Sequence, residues 1–400
     1  MRLAAGRILG VWIATTLLSV AALAQEPIDL GTLPGYEVGR ARGINERGDV
    51  VGQAARLSVE PVEQAVLWRK QSHGRYAAEA LPALAGFERG DARDFAAGRV
   101  PVGFTYLLAP GASYYRAVLW QRDPSGARVA VDLAPPPGFT DARAYAANRH
   151  GLVVGEILNP QEQVNGAVVR HAVSWRPQRE GVETCDLGVP EGFDTSAAFD
   201  VNDAGDVVGT AMRIESDGAG GLRLHAEVVV WSRPHRRPGV CDPQPFVLGG
   251  RDDLPLKQNP SINERGDVVA RADLITPGQP TVSRPLAWAR CGRGYRAPFE
   301  LPVPAGYSDA FARDVNSRRE VVGTALVRGP DGLTTASQGV LWVFERGHWR
   351  TTLLSNPDGV GFASTEQISE KGEIVGLSPT PPAGASGALL WRHASRCERH

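Results

Sequence analysis

Residues 44–51 read INERGDVV, and the same eight letters return at 262–269. Related segments follow the same order along the chain: DFAAGRVPVGF, AANRHGLVVGE, DVNDAGDVVGT, DVNSRREVVGT and QISEKGEIVGL. Each segment precedes a short apolar stretch that ends in tryptophan, and these tryptophans recur at intervals of 49 to 57 residues. They are Trp68, Trp120, Trp175, Trp231, Trp288, Trp342 and Trp391. A chain that repeats one pattern seven times builds one structural unit seven times.

The apolar segments of each repeat indicate β-strands rather than helices. They are short, rich in Val and Leu, and bounded by Gly, Pro, Asn and Asp, which is the composition of strands and turns. In the first repeat we predict four strands, designated a to d: 41–45, 49–55, 64–69 and a fourth near 78–81.

The junction between strands a and b explains why the octapeptide recurs. Two strands joined by three or four residues with glycine near the end form a hairpin, and Gly48 supplies a positive φ at low steric cost. We expect the side chain of Asn45 to bond to the backbone ahead of it and hold the turn. In the sixth repeat Arg319 stands in the place of this glycine, so that turn should be strained or differently shaped.

Seven repeats of about 54 residues with four short strands each predict an all-β fold, a seven-bladed β-propeller with four antiparallel strands per blade. Each tryptophan would be an apolar wedge between blades, burying about 150–250 Å². The first residues after 25 look like a d strand without a blade, and the chain ends after a c strand. We therefore predict that the N-terminal strand, 28–33, completes the last blade. An open β-solenoid is the alternative, although it needs shorter repeats and capping units.

The first 24 residues differ in composition from the rest. Arg2 and Arg7 precede a largely apolar run from 8 to 21, and Ala22-Leu23-Ala24 is a small-x-small site. This pattern predicts a secretory signal peptide over 1–24, followed by a single propeller domain over 25–400. The alternative is an uncleaved membrane anchor, but the apolar run is short for a span. We expect an exported protein, periplasmic or extracellular, that is not inserted in a membrane after cleavage.

Charge and cysteine content narrow the partners further. The formal net charge is −1 for 400 residues, and loss of the two leader arginines makes it more negative, so nothing favours nucleic acid as a partner. No cysteine lies in a CxxC or CxxH arrangement, which argues against zinc. We expect no metal, no cofactor and a monomer.

Four cysteines allow three full disulfide pairings. They are Cys185, Cys241, Cys291 and Cys397. We expect equivalent points on adjacent blades to be too far apart to bridge, since the two Cα atoms must approach within about 7 Å. We predict at most one intramolecular disulfide, and that it involves Cys241.

The pattern IN..GDVVG followed by AVLW resembles the bacterial HAF-type extracellular repeat family. Here it is carried by Ile44-Asn45, Gly48, 50–52 and 65–68, and by their counterparts over nearly the whole chain after the leader. The namesake His-Ala-Phe is closest at 171–173 and differs in the other repeats. The resemblance implies export and no established activity.

The b–c connectors hold the first set of candidate ligand contacts. They vary in length and composition, whereas the a–b turns are short and uniform. Variable loops on a rigid scaffold are where recognition usually resides. The candidates are Tyr114, Tyr115, Arg223 and His225.

The d–a connectors hold the second set, an aromatic residue directly after glycine. Its members are Tyr36, Phe87, Phe139, Phe193, Tyr307 and Phe362. A ring of such residues could stack on sugars or peptides. The alternative is that each packs under its own connector and seals a joint between blades, and a repeated residue favours a repeated structural role.

Two functions remain open at this stage. The first is an exported, non-catalytic scaffold that binds an unknown protein or carbohydrate ligand through the b–c and d–a face, with no catalytic residues. The second is an exported hydrolase or lyase acting on a polysaccharide or peptide at the channel mouth. The first is favoured because no polar constellation interrupts the repeat. A pair of carboxylates, or histidine with an acid, at that mouth would favour the enzyme.

Overall fold

The structure is a computed structural model that describes residues 26–57, 62–109, 111–218, 220–234, 240–276, 279–356, 361–379 and 385–392. The predicted leader, 1–24, lies outside these residues. The described chain is built from β-strands, with one 3₁₀ turn at Ser72–Gly74. The strands form antiparallel groups of four, here called units 1 to 7, as the sequence predicts for each repeat.

The strands of units 1 to 4 follow one another along the chain. Unit 1 contains β2 (Val38–Ile44), β3 (Val50–Arg56), β4 (Val62–Lys70) and β5 (Tyr76–Ala80). Unit 2 contains β6 (Arg89–Ala96), β7 (Val100–Ala109), β8 (Ala112–Arg122) and β9 (Arg128–Asp132). Unit 3 contains β10 (Asp141–Ala147), β11 (Val153–Val164), β12 (Ala167–Pro177) and β13 (Val182–Gly188). Unit 4 contains β14 (Thr195–Val201), β15 (Asp206–Ser216), β16 (Leu222–Ser232) and β17 (Pro245–Leu248).

Units 5 to 7 include the departures from this regular order. Unit 5 contains β18 (Leu256–Ile262), β19 (Val268–Leu274), β20 (Val282–Trp288) and β23 (Phe299–Glu300), with an inserted hairpin of β21 (Arg290–Cys291) and β22 (Gly294–Tyr295). Unit 6 contains β24 (Asp309–Val315), β25 (Glu320–Arg328), β26 (Thr334–Glu345) and β27 (His348–Leu353). Unit 7 contains β28 (Ser364–Ile368), β29 (Glu373–Leu377), β30 (Ala388–Arg392) and, from the chain start, β1 (Ile28–Asp29).

The N-terminal strand pairs where the sequence predicts. Ile28 lies opposite Leu390, and the amide of Leu30 continues the pairing by donating to the carbonyl of Ala388. The paired strand is shorter than the predicted 28–33, yet Leu30 and Leu33 are buried. The start of the chain therefore supplies the fourth strand of unit 7 and covers its edge.

The first strand of each unit, called the inner strand, lies beside the inner strands of the units before and after it. Units 4 and 5 are joined more closely, because Ala226 and Leu256 form a parallel bridge that merges them into one eight-stranded sheet. Unit 7 contacts unit 1 in the same way: the amide of Ile44 donates to the Gln367 side chain at 2.6 Å. The inner strands thus surround a common axis.

All seven repeat tryptophans are buried, with at most 1% of each side chain exposed. Six of the indoles also donate their N–H to a carbonyl at or beyond the last strand of the preceding unit. Trp120, for example, donates to the carbonyl of Pro82 at 2.7 Å, and Trp342 donates to that of Pro302 at 2.8 Å. Each of these six tryptophans therefore joins two units by packing and by a hydrogen bond, because a buried indole N–H needs an acceptor.

The a–b turns form as the octapeptide predicts. The Oδ1 atom of Asn45 accepts the amides of Arg47 and Asp49 at 3.0 and 2.9 Å, and Gly48 adopts φ 82°. Arg319 forms the same turn with φ 61°, so the turn keeps its shape and Arg319 adopts the strained left-handed conformation. A non-glycine residue pays roughly 1–2 kcal/mol in this region.

The same asparagines also connect neighbouring turns, which the sequence analysis did not anticipate. Their Nδ2 atoms donate to a backbone carbonyl in the next unit. Asn148 donates to the carbonyl of Asn202 at 2.9 Å, Asn202 to that of Asn263 at 3.2 Å, and Asn263 to that of Asn316 at 3.0 Å. One side chain therefore closes its own turn and holds the next unit against it.

A β-bulge interrupts every inner strand at the same place. In six units one residue is left unpaired, as in the register shift between Ala144 and Ala146. Opposite it lies the glycine of the VVG motif, and a Cβ on Gly155 would overlap the carbonyl oxygen of Arg143. In unit 5 Ala270 replaces this glycine; the irregularity there spans two residues, and Asn259 adopts φ 46°.

One disulfide is present among the described residues, and it involves Cys241 as predicted. It joins Cys241 to Cys185 with Cα atoms 5.4 Å apart. The bridge joins adjacent units because Cys241 lies on the segment between β16 and β17 rather than at the point equivalent to Cys185 on β13. Cys291 is exposed and forms no disulfide among the described residues, and Cys397 lies outside them.

Replacing a bulge glycine should destabilise the fold more than replacing a glycine in open space. We expect Gly155→Ala and Gly209→Ala each to lower the free energy of unfolding by about 1–3 kcal/mol, because the new Cβ overlaps backbone. The control Gly294→Ala meets no atom within 4 Å. Equilibrium urea unfolding measures the difference, and equal losses in all three variants would contradict the steric account.

Removing the N-terminal strand should weaken the whole molecule. We expect a chain that starts at residue 36 to aggregate or to melt well below a chain that starts at residue 25, because β30 then has an unpaired edge. The cut also removes the carbonyl of Gly31, which accepts the Trp68 indole N–H at 3.0 Å. Thermal melting and light scattering measure both effects. A melting temperature within a degree or two, with no aggregation, would show that the strand is dispensable.

Candidate functional site

A polar cavity of about 100 Å³ lies on the axis between the inner strands. Each of the seven inner strands contributes at least one residue to its wall. The residues at the bulges are Arg42, Arg93, Tyr145, Phe199, Pro260, Arg313 and Glu366. A bulge redirects a side chain out of the alternating strand pattern, so the repeated bulge is what assembles this ring of residues, here called the axial ring.

The axial ring is divided into a charged half and an apolar half. The charged half comes from units 6, 7, 1 and 2, and it holds three arginines around Glu366. In the apolar half Tyr145 and Phe199 are stacked, with ring centroids 5.4 Å apart and an interplanar angle of 16°. The ring therefore offers cationic groups on one side and flat apolar faces on the other.

Glu366 is held by two arginines from neighbouring units. Arg42 reaches one of its carboxylate oxygens at 3.1 Å, and Arg313 reaches the other at 3.5 Å. Burial opposes ionisation of this carboxyl, but Arg313, Arg42 and Arg93 outweigh burial and lower its pKa. Glu366 is therefore charged, and its negative charge is shared among the three arginines.

Two further carboxyl groups meet in the cavity on either side of one hydroxyl. The Oγ atom of Ser261 lies 2.8 Å from Asp200 Oδ2 and 2.5 Å from Asp314 Oδ1. A serine hydroxyl has one proton to donate, so Ser261 donates a hydrogen bond to only one of the two carboxylates. The other carboxyl group must carry a proton and donate it to the serine oxygen. Burial and the charge of Asp200 raise the pKa of Asp314 to about 7, and burial also raises the pKa of Asp200.

These carboxyl groups also connect the units. Asp200 Oδ2 accepts the amide of Ile262 at 2.9 Å, and Asp314 Oδ2 accepts the amide of Ile368 at 2.8 Å. Asp94 occupies the equivalent position in unit 2, where it accepts the amide of Ala147 at 2.8 Å. Asp94 is buried and does not line the axial cavity.

An aromatic path connects the axial ring to the end of the sheets where β7 and β8 extend. Phe104 contacts Tyr145 edge-on with centroids 6.4 Å apart, and Tyr115 at 6.0 Å. Tyr115 stacks on Tyr106 at 5.6 Å and lies under the guanidinium of Arg143 at 3.7 Å. A planar ligand could therefore stack between the end of the sheet and the cavity.

The b–c candidates lie in strands, not in the loops that were predicted. Tyr114 and Tyr115 belong to β8, while Arg223 and His225 belong to β16. The strands keep pairing beyond the body of the sheet, which leaves short turns in place of variable loops. Tyr115 joins the aromatic path; Tyr114 and Arg223 are exposed.

His225 belongs to a charged network between units 4 and 5. Its Nε2 atom lies 3.1 Å from Glu227, which also binds the fully buried Lys257 at 2.8 Å. A buried ion pair is costly unless both partners are present. The position of His225 beside this pair indicates a structural role.

The aromatic residues after glycine are half-buried in their connectors. Tyr36, Phe139, Phe193 and Tyr307 each pack against the core of a unit, and Phe87 and Phe362 are partly buried as well. The amide of Tyr36 closes its turn on the carbonyl of Leu33 at 3.0 Å. This packing agrees with the alternative that these residues seal the joints, and their role in binding stays a prediction.

Sequence reasoning missed the axial ring and the Asp200–Asp314 pair. These residues occupy fixed positions before the turn asparagines: Arg42 lies three residues before Asn45, and Asp200 and Asp314 lie two residues before Asn202 and Asn316. The residue types at these positions differ from repeat to repeat, so the search for shared features passed over them. Among the described residues no group of three His, Cys, Asp or Glu is placed to hold a metal. The same part of the chain contains no helix long and apolar enough to span a membrane.

Comparisons with known proteins identify the class of fold. No protein-family model and no curated protein matches the sequence, so the resemblance to the HAF repeat family stays a prediction. The chain is similar in structure to the β-propeller domain of the Trilobed protease from Pyrococcus furiosus. The TM-score is 0.50 at 8% identity, covering 89% of this chain and 94% of that chain. The fold is therefore that of a β-propeller protein.

Two other solved structures match with lower scores. An acylaminoacyl peptidase from Pyrococcus horikoshii has a TM-score of 0.49 at 11% identity, and the match covers 89% of this chain and 51% of that one. An α-L-arabinanase from Penicillium chrysogenum, complexed with arabinobiose, has a TM-score of 0.41 at 12% identity, covering 76% and 94%.

The buried carboxyl groups should make stability depend on pH. Burial raises the pKa values of Asp94 and Asp314 to about 7, so the folded protein holds protons that the unfolded chain releases above about pH 4. This contribution is complete below pH 4 and is lost as pH rises through 7. We expect the free energy of unfolding to fall by roughly 1–4 kcal/mol per group across that window.

Urea unfolding at a series of pH values tests this expectation. Asp314→Asn should flatten the decline, because the amide does not titrate, whereas Asp252→Asn at an exposed turn should leave it unchanged. A decline equally steep in Asp314→Asn would show that this carboxyl does not titrate in the window.

Proposed function

We propose that the seven units are the blades of one closed, seven-bladed propeller exported from the cell. Support for closure comes from the pairing of β1 with β30 and from the contact between the first and last inner strands. The apolar leader supports export. A closed ring leaves few free strand edges, which suits a protein outside the cell.

We further propose that the protein is a hydrolase acting on an exported polymer at the mouth of the axial cavity, in preference to a non-catalytic scaffold. The observation that supports this is the Asp200–Ser261–Asp314 arrangement. A pair of carboxyl groups lining the cavity favours an enzyme over a non-catalytic scaffold. Two carboxyl groups with one shared proton combine an acid and a base at one place.

The chemistry that suits this pair is hydrolysis of a glycosidic bond. Asp314 donates its proton to the leaving sugar oxygen as the glycosidic C–O bond breaks, and Asp200 forms a bond to the anomeric carbon. Water then attacks that carbon and releases Asp200, and Asp314 takes the proton of the water. The Asp200 and Asp314 oxygens lie 2.8 and 2.5 Å from Ser261 Oγ, so they are at most about 5 Å apart, close to the separation of carboxyl groups in retaining glycosidases. A polysaccharide is favoured over a peptide because the path to the cavity is lined by aromatic rings.

One observation favours the scaffold as a second candidate. Oxygens of both carboxyl groups already accept backbone amides, as Asp314 does from Val315 at 2.8 Å. Groups used in this way can be purely structural, and the same cavity would then bind a carbohydrate without cleaving it. The two candidates differ in what an amide in place of a carboxyl does to activity.

Replacing either acid by asparagine separates the two candidates. The asparagine oxygen keeps one of the two backbone amides that each carboxyl accepts, so circular dichroism first checks that Asp200→Asn and Asp314→Asn are folded. We expect each folded variant to lower the rate of polysaccharide cleavage by about 100-fold or more, as for loss of the acid or of the nucleophile. Reducing-sugar release from a panel of neutral and acidic polysaccharides measures this.

The control is Asp252→Asn, which changes a carboxyl at an exposed turn that does not line the cavity. It should keep wild-type activity. If no polysaccharide is cleaved by the wild type, or if all three variants retain full activity, the hydrolase proposal fails and the scaffold is favoured.

A further inference from the structure

We infer that the axial ring binds the carboxylate of an acidic sugar unit, so that the polymer is a polyuronate rather than a neutral polysaccharide. This inference rests on the proposed function and names the substrate class of the same site. It starts from three arginines that the bulges of units 6, 1 and 2 bring to one level of the cavity.

Arg313 retains hydrogen-bonding capacity toward the cavity. It lines the cavity wall with a side chain that is 30% exposed, and its guanidinium has no hydrogen-bond partner among the described residues. Its nearest acidic contact is Glu366 at 3.5 Å. A donor left without an acceptor is costly, and an incoming carboxylate oxygen would accept from the terminal nitrogens of Arg313.

The charges around the cavity are close to balanced. Three arginines face Asp91 and Glu366, since Asp91 binds Arg93 at 3.3 Å and Glu366 binds Arg42 at 3.1 Å, and the Asp200–Asp314 pair with one proton adds one further negative charge. Arg313 is bound less closely than the other two, because its nearest acid is Glu366 at 3.5 Å, which already binds Arg42. A carboxylate entering the ring would therefore pair with Arg313.

The apolar half of the ring selects a sugar among possible anions. A uronate has an apolar C–H face and a carboxylate at its edge, which match the Tyr145–Phe199 stack and the opposite arginines. The cavity of about 100 Å³ has room for the carboxylate edge of one sugar rather than for several units. Glu366 already shows that arginine can meet a planar carboxylate at this level.

Binding to a chain that does not cleave its ligand tests the inference. The Asp314→Asn variant is titrated calorimetrically with trigalacturonic acid, with its methyl ester and with a neutral galactose trimer. We expect the acid to bind at least 10-fold more tightly than either neutral ligand. Adding Arg313→Gln should remove most of that preference, whereas adding Arg149→Gln, on a distant a–b turn, should not.

A second variant guards against loss of folding. Arg42→Gln alone would leave Glu366 with fewer partners. The double variant Arg42→Gln with Glu366→Gln keeps the local charge balanced, and it should still lower the affinity for trigalacturonic acid. Equal binding of acid and ester would overturn the inference. Tighter binding of a sulfated galactose trimer or an acidic peptide than of the uronate would also overturn it.

The outcomes distinguish this inference from the proposed function. If neutral polysaccharides are cleaved and Asp200→Asn abolishes cleavage, while the arginine variants change nothing, the hydrolase stands and the acidic substrate is wrong. If the uronate binds as expected but the wild-type protein cleaves no polysaccharide, the acidic ligand stands and the hydrolase is wrong.

Discussion

The close approach of a glycine on the second strand to a bulged inner strand is the contact on which the rest of the structure depends. At Gly155 no side chain fits, because the backbone of Arg143 and Ala144 occupies the space of a Cβ. The glycine lets the bulge form, and the bulge directs one residue per unit toward the axis. Unit 5 keeps the same plan with Ala270 only by widening the irregularity and placing Asn259 at a positive φ.

Two other repeated contacts hold the units against each other. The turn asparagines act near one end of the inner strands, where a single amide group bonds its own turn and the carbonyl of the next. The tryptophans act further out, where each indole is fully buried and most donate to the preceding unit. Trp175 is the exception, since its N–H has no partner among the described residues. The units are therefore joined by asparagine hydrogen bonds near the axis and by tryptophan packing further out.

The side chains of the axial ring are not required for the repeated framework to fold. Structural positions repeat because each unit needs the same turn, bulge and wedge. The side chains at the bulges have no shared structural role, so they differ between units: Arg42 in one unit, Phe199 in another and Glu366 in a third. The variation places unlike groups at one level, which is the arrangement that a binding or catalytic site needs. The Asp200–Ser261–Asp314 group serves both purposes, because it holds adjacent inner strands and gathers titratable groups.

The sequence by itself determined the repeat, the four strands of each unit, the a–b turn and the pairing of the N-terminal strand. These features follow from local chemistry, such as the positive φ of Gly48, and from the regular spacing of the repeats along the sequence. Only the tertiary structure decided the bulges, the links made by the turn asparagines, the Cys185–Cys241 bond and the axial ring. The bulges depend on how two neighbouring strands align, as at Gly155 and Arg143. The other three features depend on residues about 50 or more positions apart, as Arg42 and Glu366 are. Their meeting is set by how the units pack around the axis, and no local pattern in the sequence records it.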